Sequence, residues 1–129
     1  MTIATSGASI IKERIVDGVV ILSLERGLKK LGEAALKERL DELVRAGHMQ
    51  ILIDLGGLPN VPSAELGRLI RCHLSVRQAG GRVRLCNLSE KVRMRMRMTR
   101  LDTVLELYGS EEEALEGIRR IGRINRIRL

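Results

Sequence analysis

One short stretch in the middle of the chain constrains the fold more than any other. Residues 50–55 form a nearly continuous apolar run, which is typical of a central strand covered on both faces. A turn rich in Gly and Pro follows, and Ser63 then opens a segment whose apolar residues recur at helical spacing up to Gly80. A buried strand that passes directly into a helix needs other strands beside it and helices over it. The segment therefore predicts an α/β domain.

The rest of the chain supplies those neighbours. Asp17-Gly18 is suited to a two-residue hairpin turn, so the β-branched residues on either side predict an antiparallel pair. The predicted elements are strands 10–16 and 19–24, a helix through 35–44 that ends at Gly47, strand 50–55, helix 63–77, strand 82–88, a helix after Ser89, strand 104–107 and a helix through 110–118. The order ββαβαβαβα implies a mixed, mostly parallel sheet with about four helices and the first strand antiparallel at one edge.

Residues 93–98 carry two competing periodicities. The alternation of Arg and Met there has the period of a strand, whereas Val92 with Met96 and Met94 with Met98 pair at i,i+4. We predict a helix, because so basic a run would be a poor central strand. Its methionines are expected to pack inward beneath solvated arginines, and presentation of both residue types to a partner remains the alternative.

Length and composition favour a single small domain. The chain has 129 residues, of which 44% are hydrophobic, enough for one packed core. We assign residues 1–118 to this domain and residues 119–129 to a basic amphipathic C-terminal extension. No apolar run is long enough to span a bilayer and no signal sequence is recognisable, so we expect a cytoplasmic protein. Cys72 and Cys86 are isolated in apolar segments, which predicts reduced, buried thiols.

The C-terminal segment is too apolar to be a simple disordered tail. Isoleucines recur at every third residue from Ile118 to Ile127, with arginines between them, and would form a broad apolar face on a helix. We expect this face to pack on the domain's own flank or on a second copy of the chain in a homodimer. An acidic protein or an anionic membrane surface is the alternative.

The formal net charge of +7 requires a partner class to explain it. With no Phe or Trp and with Tyr108 alone, the chain lacks an aromatic platform on which single-stranded nucleic acid could stack.

No spacing of nucleophiles and bases forms a catalytic signature, and adjacent Cys72 and His73 would point in different directions on a helix. We therefore predict neither an enzyme nor a metal or cofactor site.

Ser63 is the best candidate for a regulated site. At the start of a helix its hydroxyl would lie beside backbone N–H groups without partners and near the positive end of the helix dipole. A phosphate added there would be tolerated electrostatically and would change the local surface sharply. An ordinary helix N-cap is the simpler interpretation of the same serine.

The element order and several sequence features together resemble the STAS family, whose best-known members are bacterial anti-sigma factor antagonists. The resemblance covers most of the chain and rests on the strand and turn 51–63, Leu66-Gly67, Gly80-Gly81 before strand 83–88, and then Ser89, Val92, Met96 and Leu101. In that family a serine at this helix start is phosphorylated by an anti-sigma factor that is itself an ATP-dependent serine kinase. The unphosphorylated form binds the anti-sigma factor, and phosphorylation breaks the contact.

Carried onto this chain, the resemblance implies that Ser63 is the phosphorylation site. The implied partner-binding residues are Lys29, Lys30, Asn60, Pro62, Ser63, Ala64, Glu65 and Arg68. The family usually reads Asp-Ser-Ser-Gly at the switch, where this chain reads Pro62-Ser63-Ala64-Glu65, and the usually acidic loop after the second strand is basic here at residues 26–30. This reversal of charge implies an acidic partner surface.

Three functions remain open at this stage. The first is an anti-sigma factor antagonist that binds an anti-sigma factor or serine kinase and is switched at Ser63. The second is a STAS scaffold subunit of a stress-signalling or lipid-transport complex that works without phosphorylation. The third is a basic binder of nucleic acid or of a membrane surface, which would lose affinity steeply with salt.

Overall fold

The computed structural model describes residues 2–4, 11–25, 33–58, 60–61 and 63–127 of the chain. Within these ranges the strands are β1 (Thr2–Ala4), β2 (Ile11–Val16), β3 (Val19–Glu25), β4 (Gln50–Gly57), β5 (Arg82–Cys86) and β6 (Glu106–Tyr108). The α-helices of the same ranges are α1 (Glu33–Arg45), α2 (Ser63–Gln78), α3 (Glu90–Met98) and α4 (Glu111–Ile127).

The strands form one sheet in the order β1-β2-β3-β4-β5-β6. The pairs β1–β2 and β2–β3 are antiparallel, and every pair from β3 to β6 is parallel with a helix in the connection. The predicted α/β class, its four helices and its mixed sheet are thereby confirmed. Strand β1 was not predicted, because three residues are too few to show a period, and it takes the edge position that the sequence assigned to β2.

Local backbone geometry follows the turn residues closely. Asp17 and Gly18 both have positive φ, 52° and 79°, as a type I′ hairpin turn requires, and the turn closes on the pair Val16 and Val19. Gly47 has a φ of 93°, and the amide of His48 beyond it donates to the carbonyl of Leu43 at 2.9 Å. The left-handed residue therefore ends α1 as predicted.

Alternation along the central strand divides the molecule into two cores. Ile51, Ile53 and Leu55 face a large cluster that also holds the buried residues of α1, α2 and α3. Leu52 faces the opposite side, where α4 contributes Ala114 and Leu115 to a smaller cluster. The central strand is thus covered on both faces, which accounts for its continuous apolar sequence.

Helix α3 confirms one prediction and corrects another. Ser89 caps the helix as predicted, since its side chain accepts a hydrogen bond from the amide of Val92 at 3.2 Å. Met96 is fully buried, but Met94 and Met98 are 54% and 82% exposed. The inward packing predicted for the methionines is therefore wrong for two of the three, because the i,i+4 pair two positions after the core pair lies on the solvent side of the helix.

The last strand and the last helix also differ in detail from expectation. A 3₁₀ turn occupies residues 101–103, and β6 begins only at Glu106. Ser110 caps α4 by accepting from the amide of Glu113 at 3.1 Å, as the sequence indicated. Helix α4 is continuous through residue 118 to Ile127, so it crosses the proposed boundary between domain and extension. That division of the chain, and the apolar face proposed for the extension, remain predictions.

Candidate functional site

Ser63 lies at the junction between β4 and α2. It is the first residue of the helix, and its side chain is exposed, as are those of Asn60 and Ala64 beside it. Among the described residues none forms a side-chain hydrogen bond with the Ser63 hydroxyl. Ser63 therefore lies inside the first turn rather than in the capping position before it, with its hydroxyl open to solvent. Backbone N–H groups of a first helical turn favour an anion placed there.

Leu58 and Val61, shortly before Ser63 in the chain, are fixed to the rest of the domain. Leu58 and Val61 are almost fully buried in the large cluster. The amide of Leu58 donates to the carbonyl of Leu55 at 2.9 Å, and Nη1 of Arg95 in α3 donates to the carbonyl of Val61 at 2.9 Å. Leu58 and Val61 are thus held by a backbone hydrogen bond, by burial and by a neighbouring helix just before the chain reaches Ser63. The sequence did not reveal Arg95, because this contact spans 34 residues.

Glu65 and Arg68 form an ion pair within α2. Glu65 is only 3% exposed, and its Oε1 accepts from Nη1 of Arg68 at 3.0 Å. A buried carboxylate needs such a partner, because leaving it unpaired would cost several kcal/mol, on the order of 3. Glu65 is thus placed to stabilise the first turn beneath Ser63, and Arg68 presents the more exposed end of the pair. Their predicted contact with a partner remains a prediction.

The structure brings five of the predicted site residues to one end of α2. The five are Asn60, Ser63, Ala64, Glu65 and Arg68. Lys29, Lys30 and Pro62 lie outside the described residues.

A polar cluster fixes the carboxyl ends of β4 and β5 next to this junction. Oδ1 of Asp54 accepts from the amide of Gly56 at 2.8 Å and from Nδ2 of Asn87 at 3.1 Å. Asn87 has a φ of 58° and ends β5. A side chain at Gly56 would bring its Cβ within 3.0 Å of Asp54 Oδ1, so the turn toward α2 favours glycine there. The signal in the sequence that could have predicted this cluster is Asp54, a charged residue in an apolar strand two positions before Gly56-Gly57.

The exposed face of α2 continues away from Ser63 as a line of small and apolar residues. Gly67, Ile70 and Leu74 follow Ser63 at spacings of four, three and four, which places them on one face of the helix. Gly67 and Ile70 are half-buried, and Leu74 is 51% exposed. The guanidinium of Arg71 lies beside Gly67, 3.8 Å from where a Cβ would stand. The phosphorylation candidate is therefore one end of a longer surface.

Positive charge is distributed unevenly over the molecule. On the side of the sheet covered by α4, Arg14 pairs with Glu111, Arg84 with Glu106, and Arg119 with Asp17. In α3 the closest approach of opposite charges is 4.0 Å, between Arg97 and Glu90. Within the described ranges no ion pair neutralises the other basic residues of this segment, Lys91, Arg93, Arg95 and Arg100. Among the described residues, α3 and the turn after it therefore carry a group of basic side chains without ion-pair partners.

The two cysteines and His73 are buried, which indicates structural roles for these side chains. Cys72 and Cys86 are free and buried, as predicted. Burial raises the pKa of the Cys86 thiol to about 12, with the carboxylates of Asp54 and Glu111 adding to the effect. Burial and then the charge of Arg77 lower the pKa of His73. Across the ranges described, no three side chains of the metal-binding types lie together.

None of the helices in the described part of the chain is long and apolar enough to cross a bilayer.

The chain is 31% identical over 108 residues to a Thermotoga maritima protein named as an anti-sigma factor antagonist, a match that spans 83% of this chain and 96% of that protein.

Solved structures of similar proteins have the same fold as this chain. The NMR structure of TM1081 superposes with a TM-score of 0.76 at 28% identity, covering 93% of this chain and 97% of that one. The Bacillus cell fate determinant SpoIIAA, solved in a phosphorylated form, shares the fold with a TM-score of 0.64 at 18% identity, covering 84% of this chain and 98% of its own. The STAS domain pattern matches residues 5–114. The sheet order, the strand-to-helix junction at Ser63 and these comparisons agree, and the chain belongs to the STAS domain family.

Proposed function

We propose that this chain is an anti-sigma factor antagonist, a cytoplasmic binding module without catalytic activity that regulates transcription by engaging an anti-sigma factor. In this proposal the partner is a serine kinase as well, and it phosphorylates Ser63. The observation that carries the proposal is the position of Ser63, which is exposed in the first turn of α2 at the end of a segment fixed by Leu58, Val61 and Arg95. The relatives named as anti-sigma factor antagonists support the same class of partner.

The physical basis of the switch is a difference between the free and bound states. In the free protein a phosphate on Ser63 would be solvated and would meet the N-terminal end of α2, which favours negative charge. In a complex the same phosphate would be buried against the partner, and roughly two negative charges in a desolvated interface cost several kcal/mol unless new cations meet them. Phosphorylation would therefore remove the partner without unfolding the module.

The fold tolerates such a modification in at least one relative. SpoIIAA has been solved in phosphorylated and in unphosphorylated form. At 18% and 20% identity it shares only the architecture with this chain, so it supports the compatibility of the fold with phosphorylation and says nothing of Ser63 itself.

One observation favours a second candidate, a STAS scaffold that does not use phosphorylation. Ala64 and Glu65 stand where the family motif carries a second serine and a glycine, and Glu65 is buried in a pair with Arg68. A kinase that approaches Ser63 would meet this altered turn. A scaffold subunit would keep the same surface for a constitutive contact.

The test is a pull-down from host lysate with ATP that compares wild type, Ser63→Ala, Ser63→Asp and Ser63→Asn. Asn matches Asp in size without its charge, so it separates charge from shape. The antagonist proposal predicts that wild type, Ala and Asn retain the same kinase-like protein and that Asp loses it, with phosphate on Ser63 of the wild type detected by mass spectrometry. Retention of identical partners by all four forms would instead support the scaffold.

A further inference from the structure

We propose that the outer faces of α2 and α3, through Leu74, Met94 and Met98, form a docking surface for an acidic, partly apolar segment of the protein that binds at Ser63. This proposal rests on the proposed function and extends it, because it names the chemistry of the partner and a second area of contact away from the switch.

The exposed methionines are the first observation. Helix α3 buries Val92 and Met96 in the large cluster, yet Met94 and Met98 are 54% and 82% exposed. All four residues are apolar, but only Val92 and Met96 contribute to the core, which leaves an apolar pair on the outer face of the helix. Methionine is flexible and polarizable, and it is a residue that adapts to the surface of a partner. Two methionines at i,i+4 on the outward side of one helix therefore make an apolar strip suited to contact with another protein.

The second observation is that this strip shares a side of the domain with Ser63. Buried residues of α2 and α3 belong to the same cluster, so the outer faces of both helices point away from the same side of the sheet. Arg95 lies between the methionines along α3, and its Nη1 reaches the carbonyl of Val61, two residues before Ser63. Leu74 is 51% exposed on the line of α2 that begins at Ser63. A partner that covers Ser63 would therefore meet exposed apolar side chains of both helices on the same side of the domain.

The third observation is charge, and it determines the occupant. Lys91 and Arg95 lie on the same face of α3 as the methionines, and in the part of the chain that is described neither has an acidic partner. An apolar strip beside unneutralised cations fits a segment in which Asp or Glu flank apolar residues. An anionic lipid surface fits less well, because Glu90 in the first turn of α3 and Asp102 in the 3₁₀ turn after it would be repelled by it.

The experiment uses the protein retained by the wild type in the pull-down above, expressed and purified. A photoreactive p-benzoylphenylalanine replaces Met94 or Met98 in the full-length chain, and Ile15, which is 58% exposed on β2, serves as the matched control. Binding is also measured by titration calorimetry for wild type, the double variant Met94→Ser and Met98→Ser, and the control Ile15→Ser. Circular dichroism checks that each variant is folded, and low-melting variants are replaced by Met94→Gln with Met98→Gln.

We expect crosslinks from positions 94 and 98 to a peptide of the partner rich in Asp or Glu, and none from position 15. The double variant should bind at least tenfold more weakly, the control should bind as the wild type does, and wild-type affinity should fall as salt rises. Each other result overturns the proposal. These are crosslinks to a second copy of this chain, unchanged affinity of the double variant, crosslinks to a basic peptide, or flotation with vesicles of phosphatidylglycerol and phosphatidylcholine that depends on the methionines.

The two proposals fail separately. A partner that is insensitive to Ser63→Asp but crosslinks at positions 94 and 98 through an acidic peptide would remove the phosphorylation switch and keep the surface. A partner that is lost in Ser63→Asp but crosslinks at neither position would remove the surface and keep the switch.

Discussion

Replacement of Arg84 tests the structure of the sheet face beneath α4. The arginine lies in β5 and its side chain is only 2% exposed. Its Nε donates to Oε2 of Glu106 at 2.7 Å, and its Nη1 donates to Oε1 of Gln50. Two substitutions separate charge from volume, because Arg84→Met keeps much of the side chain and Arg84→Ala removes both.

The magnitude follows from what each variant leaves behind. Removal of one partner of a buried ion pair costs roughly 3 to 5 kcal/mol. We expect the low end for Arg84→Ala, about 3 kcal/mol, because the Glu106 side chain is 37% exposed and keeps its second arginine, Arg82, at 2.7 Å. For Arg84→Met we expect about 1 kcal/mol, because Glu106 is partly exposed and keeps Arg82 in both variants, whereas only Arg84→Ala also leaves a cavity where the side chain packed. For a domain of this size these values correspond to losses of about 12 °C and about 4 °C in Tm.

The pH dependence gives the sharper test. Burial alone would raise the pKa of Glu106, but the hydrogen bond and charge of Arg84 outweigh it and the pKa is lowered from 4.5. A carboxyl with a lowered pKa in the folded state adds stability at pH values above its unfolded pKa, and this stability is lost as the pH falls through the folded pKa. The difference between wild type and Arg84→Met should therefore be larger at pH 7 than at pH 3.

The assay is urea unfolding followed by circular dichroism at both pH values, with Lys37→Met as the control. Lys37 forms an exposed pair with Asp41, which should contribute well under about 1 kcal/mol. Equal costs of Arg84→Met at pH 7 and pH 3, or wild-type stability of Arg84→Ala, would refute the account of a buried, charge-paired arginine.

Three further predictions concern the helices and the thiols. Ser63→Asp should leave the free energy of unfolding unchanged or raise it by up to about 1 kcal/mol, because the dipole of α2 favours the charge and Arg68 already neutralises Glu65; a fall in Tm would mean that loss of partner reflects unfolding. Ser89→Ala should cost about 1 kcal/mol by removing the cap of α3, measured by chemical denaturation, whereas Ser89→Asp should cost much less. In the folded protein iodoacetamide at pH 8 should leave Cys86 unmodified, since its pKa is about 12, and urea should expose it; rapid labelling of the native protein would contradict its burial.

Local sequence signals predicted the elements of this fold well where the chemistry is local. The hairpin at Asp17-Gly18, the helix end at Gly47 and the cap at Ser89 each depend on residues within a few positions, and all three are present. The start of β6 was placed too early because Val104 is apolar, although it is 47% exposed, and the preceding residues form a 3₁₀ turn. Nothing local distinguishes an apolar residue in a strand from one in an exposed turn.

The place of Ser63 at the start of α2 was predicted, but the packing around it was not. A serine after a Gly/Pro turn is a local pattern. Glu65 was predicted to contact a partner, and only the packing of α2 on the sheet shows that it is buried. Arg84 alternates with apolar residues as a solvent-facing residue would, and its burial depends on α4, which is distant in sequence. Contacts of this kind are decided by tertiary packing, which a periodicity does not report.

The hydrogen bond from Arg95 to Val61 links the two parts of the proposed partner surface, the start of α2 and the outer face of α3, through a single cation. The same guanidinium belongs to α3 and holds the segment that ends at Ser63. A phosphate oxygen accepts a hydrogen bond from arginine more strongly than a backbone carbonyl does, so a phosphate within reach of Arg95 would compete with Val61 for it. By linkage, whatever fixes Arg95 on its carbonyl also disfavours its transfer to a phosphate, and the reverse holds with the same free energy. The hydrogen bond that ties α3 to Val61 and a phosphate on Ser63 would then compete for the same arginine side chain.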